Sequence, residues 1–468
     1  MTLWDSASNL ALVPLILMAL ALLVALAFEC INGFHDTANA VTTVIYTRSL
    51  PAIPAVLYSG VVNFLGVVVG GTAVAFGIVN LLPPEILQGE DSTPLLVMVM
   101  SLLIAAVVWN LGTWYLGLPV SSSHTLIGSI VGVGLANSLA TGQGVSGVNW
   151  SKASETAMGL FISPLFGFIG SAVLLLLMKA LFRVPRLYVP PVGDEKPPLW
   201  IRAVLILTCG SVSFSHGSND GQKGMGLILL VLIGFLPAYY SLSPAGDAAQ
   251  VAAVVAAARE LRPAADAVAA ADPADKAAVG LAKNLAAVEK ALAGKSSFLD
   301  VPADERRAVR KTVVAVEKAL KKPETAKPLE AAGAEKVSDK RKVIVGAVEH
   351  VPFWVIITVA LALGVGTMFG YKRIVETVAH KIGKSHLTYA QGAAAELVAA
   401  LTIGGASYLA LPVSTTQVVS SGIAGTMVAN GNGVQGQTVT RILVAWALTL
   451  PATMLLSGGL YTIGKMFV

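Results

Sequence analysis

Long apolar runs alternate with short polar stretches along most of the chain. They fall at about residues 10–46, 52–82, 95–116, 117–137 and 157–181, and again at about 200–236, 350–370, 389–410, 411–430 and 441–466. A helix that spans a bilayer takes roughly 20 residues, so the pattern predicts ten membrane segments, five in each half. An odd number per half inserts the second half upside down. The expected fold is therefore an all-α polytopic membrane protein built from two inverted-topology repeats. The runs at 10–46 and 200–236 are too long for one simple span, which suggests broken or re-entrant helices there.

Charge placement adds an orientation. Arg48 follows the first run. Lys179, Arg183, Arg186, Lys196 and Arg202 flank a link at 182–200 that carries five prolines, and Lys372, Arg373, Lys381 and Lys384 crowd the 371–388 loop. The 83–94 loop holds Glu85, Glu90 and Asp91 and no basic residue. Basic residues beside spans mark the cytoplasmic side, which puts these three basic regions inside and both termini outside. Asp5 precedes the first run with no Lys or Arg, unlike a cleaved signal peptide, so that run is expected to stay in the mature protein.

Composition agrees with a membrane protein. Of 468 residues, 55% are hydrophobic and 13% charged, against about 25% charged in soluble domains, and the mean hydropathy is +0.73. Basic residues stand beside the spans, where they mark the cytoplasmic side, so the net charge of +5 is not read as nucleic-acid binding. Cys30 and Cys209 form no metal or redox spacing and read as small buried hydrophobes.

Two pairs of polar phrases interrupt the apolar runs. Asn32-Gly-Phe-His-Asp-Thr-Ala-Asn-Ala40 answers His216-Gly-Ser-Asn-Asp-Gly-Gln-Lys-Gly224, and Leu118-Pro-Val-Ser-Ser-Ser-His124 answers Leu411-Pro-Val-Ser-Thr-Thr-Gln417. Polar residues at membrane depth are costly and mark sites, and their repetition marks a transporter with its site at a repeat interface. Asp36 and Ser121 stand 85 residues apart, Asp220 and Ser414 stand 194 apart, and the difference of 109 requires an insertion. The Ala-, Lys- and Glu-rich stretch at 238–346 supplies it and reads as a soluble helical excursion. The resulting organisation is a first repeat at 1–181, a linker at 182–200, the second repeat at 201–237 and 347–468, and the insertion between its two parts.

The chemistry follows from the side chains. Pro119 and Pro412 suit the chain just before a helix, and the hydroxyls Ser121, Ser122, Ser123 and Ser414, Thr415, Thr416 suit its start. Two helix starts at mid-membrane would aim free amides and positive dipole ends inward, making an oxyanion cradle; close helix packing by small residues is the plainer alternative. Asp36 aligns with Asp220, His35 with Asn219, Asn39 with Lys223, and His124 with Gln417. Two acids beside an anion make sense if a cation, H⁺, Na⁺ or a divalent metal, travels with it. Lys223 could instead neutralise Asp220 as a structural ion pair. Glu29 and Glu396 have no repeat counterpart and are candidate proton carriers. His35, His124 and His216 lie in or beside the phrases, whereas His350, His380 and His386 sit at loop edges and are expected to be solvated.

These phrases resemble those of the PiT family of inorganic phosphate transporters, the bacterial low-affinity members above all, over both membrane halves but not the insertion. The resemblance implies a secondary transporter in the cytoplasmic (inner) membrane of a bacterium, a homodimer in contact with lipid, carrying phosphate by symport with H⁺, often as a neutral complex with Mg²⁺ or another divalent metal. Sodium coupling is the rule in other branches. By position it carries the family's Asp and Asn roles onto Asp36, Asn39, Asn219 and Asp220, its Ser/Thr roles onto Ser121, Ser122, Ser123, Ser414, Thr415 and Thr416, and its intramembrane acid onto Glu396. With the neighbouring polar residues of the phrases added, phosphate binding is expected at Ser121, Ser122, Ser123, His124, Thr125, Ser414, Thr415, Thr416, Gln417 and Asn39, and a coupling cation or metal at Asp36, Asp220, Asn219 and His35. It implies no resident cofactor and no catalysis. The second hydroxyl phrase departs from the family in ending on Gln417 where His is usual, and Gln cannot carry a proton at physiological pH. The rival reading with the same architecture is a Na⁺-coupled phosphate or sulfate symporter.

Overall fold

The computed structural model describes residues 11–82, 93–191, 196–372, 374, 375, 377 and 382–467. Asp5, the acids of the 83–94 loop, and Arg373, His380 and Lys381 lie outside these residues, and with them the expectations they carried. The chain folds into two compact units. Among the described residues every regular element is helical, apart from an isolated bridge between Gly383 and Val434.

The larger unit comprises Ala19–Pro83, Thr93–Leu230 and Phe353–Val468. Its helices are α1 (Leu12–Tyr46), α2 (Ala52–Val69), α3 (Ala73–Val79), α4 (Thr93–Tyr115), α5 (Ser122–Ala140), α6 (Trp150–Leu181) and α7 (Leu199–Phe235), the first and last of which run on beyond the unit. Later come α13 (Phe353–Thr367), α14 (Tyr389–Tyr408), α15 (Thr415–Ala429) and α16 (Gly436–Gly464). Six described helices, α1, α2, α4, α6, α7 and α16, are long and apolar enough to cross a membrane. The two long runs are single continuous helices, not broken ones. Neither contains a proline beyond its first turn to break it, and their polar residues recur every three or four positions, which a helix gathers on one face without interruption.

Packing in this unit crosses between early and late parts of the chain. α5 lies on α16, and α15 lies on α6; α4 touches α5 and α16, while α14 touches α15 and α6; α2 pairs with α13. Exchanging α2, α4, α5 and α6 for α13, α14, α15 and α16 leaves this set of pairs unchanged. The buried positions Thr156, Ser163, Gly167, Ser171 and Leu175 of α6 are spaced as Ile442, Thr449, Thr453, Ser457 and Tyr461 of α16. Glycine makes the crossings close: a Cβ at Gly132 would strike the Met454 carbonyl and the Ser457 hydroxyl, and one at Gly425 would strike the Phe168 carbonyl. Small residues that let backbones approach are how helices associate where lipid removes the hydrophobic drive.

The smaller unit is built mainly on Val231–Pro352. It contains α8 (Ala248–Ala271), α9 (Lys276–Leu292), α10 (Arg306–Lys321), α11 (Pro323–Ala331) and α12 (Val337–Val345). Asp247 and Asp275 cap α8 and α9, each accepting from first-turn amides. Leu281, Leu285, Val288 and Leu292 of α9, with Val309, Val313, Val316 and Leu320 of α10, present buried apolar stripes at helical spacing. They close with Leu261 and Phe298 into one core. Two buried arginines of α10 hold the segments where the chain enters and leaves these helices. Arg306 donates to the carbonyls of Ala238, Leu299 and Val301, and Arg310 donates to those of Ser241 (3.2 Å) and Val348 (3.3 Å). Ser243 N donates to Ala347 O at 2.8 Å beside them. His350, expected in solvent, is half-buried, and burial lowers its pKa.

Burial, with Glu317 nearby, pushes the Glu349 carboxyl up to about 7, against the pull of the Arg310 guanidinium. An unfolded Glu loses its proton near pH ~4.3, so between there and about 7 the folded state holds more protons and stability falls as pH rises. Glu349→Gln, which keeps the neutral shape, is expected to slow hydrogen exchange of the α10 amides in the full chain at pH 8, with the difference from wild type shrinking at pH 5. An equal effect at both pH values would contradict the assignment.

Candidate substrate and cation site

Two stripes of polar residues face each other inside the larger unit. On α1, Asn32, His35, Asp36 and Asn39 stand at i, i+3, i+4 and i+7; on α7, His216, Asn219, Asp220 and Lys223 repeat that spacing. All eight are buried. The backbone reverses before α5 and α15 through a left-handed residue at matching places, Gly117 (φ 66°) and Ala410 (φ 58°). Each helix then starts on a serine cap: Ser121 Oγ accepts from His124 N at 3.1 Å, and Ser414 Oγ accepts from Gln417 N at 3.2 Å. The other first-turn amides of both helices have no partner within the helix.

Asp36 joins these parts. Its carboxylate accepts from Ser122 Oγ of α5 (3.2 Å) and from Thr416 Oγ1 of α15, and His35 Nδ1 lies 3.4 Å away. Asn39 Nδ2 donates to the same Thr416 hydroxyl at 3.0 Å. Asp220 is 2.7 Å from the Lys223 ammonium, and Asn32 Nδ2 approaches it at 3.4 Å. Lys223 also donates to Ser123 Oγ (2.5 Å) and to Val413 O (3.2 Å), while Ser123 donates to Val413 O at 2.7 Å. The ion pair anticipated between Asp220 and Lys223 is thus formed, and its cation also ties the start of α5 to the residue before the α15 cap.

His216 bridges the two acids. Its Nε2 is 3.7 Å from Asp36 Oδ2 and 3.6 Å from Asp220 Oδ2, and Asp36, His216 and Asp220 could each turn one ligand atom to a shared cation. Hydrogen bonds behind the ring decide its tautomer. Thr367 Oγ1 donates to Leu363 O (2.9 Å), so it must accept from Asn63 Nδ2 (3.2 Å). That orients Asn63 with Oδ1 toward His216 Nδ1 at 2.7 Å, so Nδ1 carries the proton. Nε2 therefore offers either a lone pair or a second proton to the space between two carboxylates.

The remaining candidates divide by what they touch. Asn219 donates to Ser407 Oγ (3.1 Å) and Leu411 O (3.0 Å) and accepts from Val413 N (3.3 Å), so its amide holds the turn before α15. Thr125 donates to Ser121 O at 3.0 Å within α5. Thr415 Oγ1 and Gln417 Oε1, both buried, have no hydrogen-bond partner among the described residues. His124 packs edge-on to Phe161 at 6.4 Å. Glu396 of α14 accepts from Thr43 of α1 and from Thr208 of α7 (2.5 Å), bracing the two stripe-bearing helices together. Glu29 is wholly buried on α1 against Gly224, where a Cβ would collide with its carboxyl. Cys30 and Cys209 are both free thiols. His216 opens the second polar phrase, whereas Asn63 and Thr367 lie outside both pairs of phrases, in predominantly apolar helices, and carry no signal in the sequence.

Comparison with known proteins fits this arrangement. Residues 32–457 match the model of the phosphate transporter family. The chain belongs to that family. The low-affinity inorganic phosphate transporters PitA and PitB of Escherichia coli (strain K12) are 41% and 39% identical to it, each over 97% of both chains. A probable low-affinity inorganic phosphate transporter of Bacillus subtilis (strain 168) is 28% identical over 97% of this chain and 98% of its own. A solved sodium-dependent phosphate transporter superposes with a TM-score of 0.57 over 97% of this chain and 100% of the other. At 22% identity that likeness bears on the fold alone. This family member thus shares its helical architecture with a solved phosphate transporter, and its paired phrases converge on one buried cluster.

Removing one partner of a buried ion pair strands the other charge and costs ~3–5 kcal/mol. Lys223→Met is expected to lower the unfolding midpoint of the detergent-solubilised protein clearly, and adding Asp220→Asn should restore most of the loss. Equal midpoints for Lys223→Met and wild type would show that the cation does not neutralise Asp220.

Proposed function

We propose that this phosphate transporter imports inorganic phosphate by symport with protons across the cytoplasmic membrane, working as a homodimer of two inverted repeats with a soluble helical insertion. The observation that carries the reading is the convergence of two acids and a histidine with two helix starts. Phosphate binds at the amides and hydroxyls that open α5 and α15, with Lys223 as the fixed cation beside them. Asp36, Asp220 and His216 hold the charge that travels with it. In this arrangement Ser122 and Thr416 donate to Asp36, so a proton or metal ion taken up by Asp36 releases both hydroxyls toward the anion. Uptake of the cation thereby prepares the phosphate site.

Histidine bears on the choice of cation. An imidazole nitrogen can accept a proton and binds divalent transition metals well, but it is a poor partner for Na⁺. That favours H⁺, with phosphate carried free or as a divalent metal complex, over Na⁺ coupling. The swap-invariant packing and the matched stripes of α6 and α16 support inverted repeats, which place substrate sites at their interface and alternate access by rocking about it.

Asp36→Asn and Asp220→Asn are expected to reduce labelled-phosphate uptake to background while both variants still reach the membrane. In wild-type vesicles a protonophore should collapse uptake, and replacing Na⁺ with K⁺ should leave it unchanged. Full transport by either variant would remove the acids from the cycle; loss of uptake on Na⁺ withdrawal would establish the sodium-coupled alternative instead.

A further inference from the structure

An apolar groove opens on the outer surface of the larger unit between α4 and α16. Its volume is about 660 Å³ and its walls include Val108, Leu116, Val444 and Leu448, all exposed by half or thereabouts. The polar groups beside it are mostly engaged elsewhere: Trp109 Nε1 donates to Thr449 Oγ1 at 3.3 Å, and Thr113 Oγ1 donates to Trp109 O at 2.9 Å. One charge stands at the rim. Arg441, exposed in the second turn of α16, has no ion pair or hydrogen bond among the described residues. A charged side chain on a membrane-facing helix is costly unless something answers it, and by default it marks a site.

We propose that this groove seats one anionic phospholipid, with an acyl chain along α4 and α16 and its phosphate on Arg441. The apolar walls suit hydrocarbon. The lone guanidinium suits a phosphate, whose planar two-oxygen face it can grip with two donors. A second copy of the chain suits the groove less well. A two-fold interface lays a patch on itself, and this patch carries an arginine and no acid, so it would bring like charges together. Position near a helix start also fits, because an Arg one turn inside a span reaches the headgroup level by extending its stem. Leu118, the first residue of the hydroxyl phrase that opens α5, is among the residues that line the groove. Just beyond, Trp446 Nε1 donates to Pro119 O at 2.8 Å. A chain in the groove therefore backs the turn that presents Ser121 to Thr125.

The test is native mass spectrometry of the full-length protein in detergent, titrated with phosphatidylglycerol or phosphatidylcholine of identical acyl chains. Wild type should retain one phosphatidylglycerol per protomer in preference to phosphatidylcholine. An Arg at a membrane surface contributes ~1 kcal/mol toward an anionic lipid, or about fivefold, and Arg441→Gln should erase that preference while Arg441→Lys keeps most of it. Val444→Trp, which fills the groove, should lower retention of both lipids. Equal retention of the two lipids by wild type, or an unchanged preference in Arg441→Gln, would overturn the assignment. So would dissociation of a dimer by Val444→Trp with lipid retention intact, which would make the groove a contact between copies.

Discussion

The buried carboxylate of Asp36 is the constraint around which the larger unit is arranged. An ionised acid away from water has to be answered by hydrogen bonds or positive charge. Asp36 is answered by Ser122 from one helix start and Thr416 from another, with His35 and His216 flanking it. Those donors reach it only if α5 and α15 begin at the same depth and point at the same place. The left-handed residues Gly117 and Ala410, the serine caps and the Asn219 clamp on the preceding turn all serve that placement. Lys223 performs the matching task for Asp220 and, through Ser123 and Val413, ties the same two helix starts together again.

Much of this was legible in the sequence because repetition distinguishes a site from an accident. Asp36, Asp220, Ser122 and Thr416 stood out as polar residues in matched phrases, and the structure brings all four into one cluster. What stayed hidden were the partners without a repeat. Asn63 and Thr367 fix the His216 tautomer from α2 and α13, predominantly apolar helices that carry none of the repeated phrases. Thr43 and Thr208, which answer Glu396, likewise lie outside the repeated phrases. Run length alone suggests breaks in α1 and α7, whereas the absence of a breaker and the helical spacing of the polar stripe keep both continuous. In the smaller unit, Arg306 and Arg310 resemble surface charges on an amphipathic helix; only folding shows them turned onto carbonyls.

The two polar stripes also differ, and the differences have physical content. Where α1 carries His35 and Asn39, α7 carries Asn219 and Lys223. The α7 residues are drawn into the turn before α15, so that side of the cluster is fixed by strong, charge-assisted contacts. On the α1 side, Asp36 is held by neutral hydroxyls that can reorient at low cost. The cluster therefore has one rigid wall and one adjustable wall.

The crossed packing of α5 on α16 and of α15 on α6 gives the larger unit the interior of an interlocked dimer made from one chain. Neither the stretch before the proline-rich link nor the stretch after it holds a finished binding cluster. Each supplies one helix start and the bed on which the other's helix start rests. Severed at the link, both fragments would expose glycine-lined furrows shaped for the missing partner, and assembly would become a search between two molecules. Synthesis adds an order to this: the first helix start must wait, without its bed, until the last helix of the chain has been made.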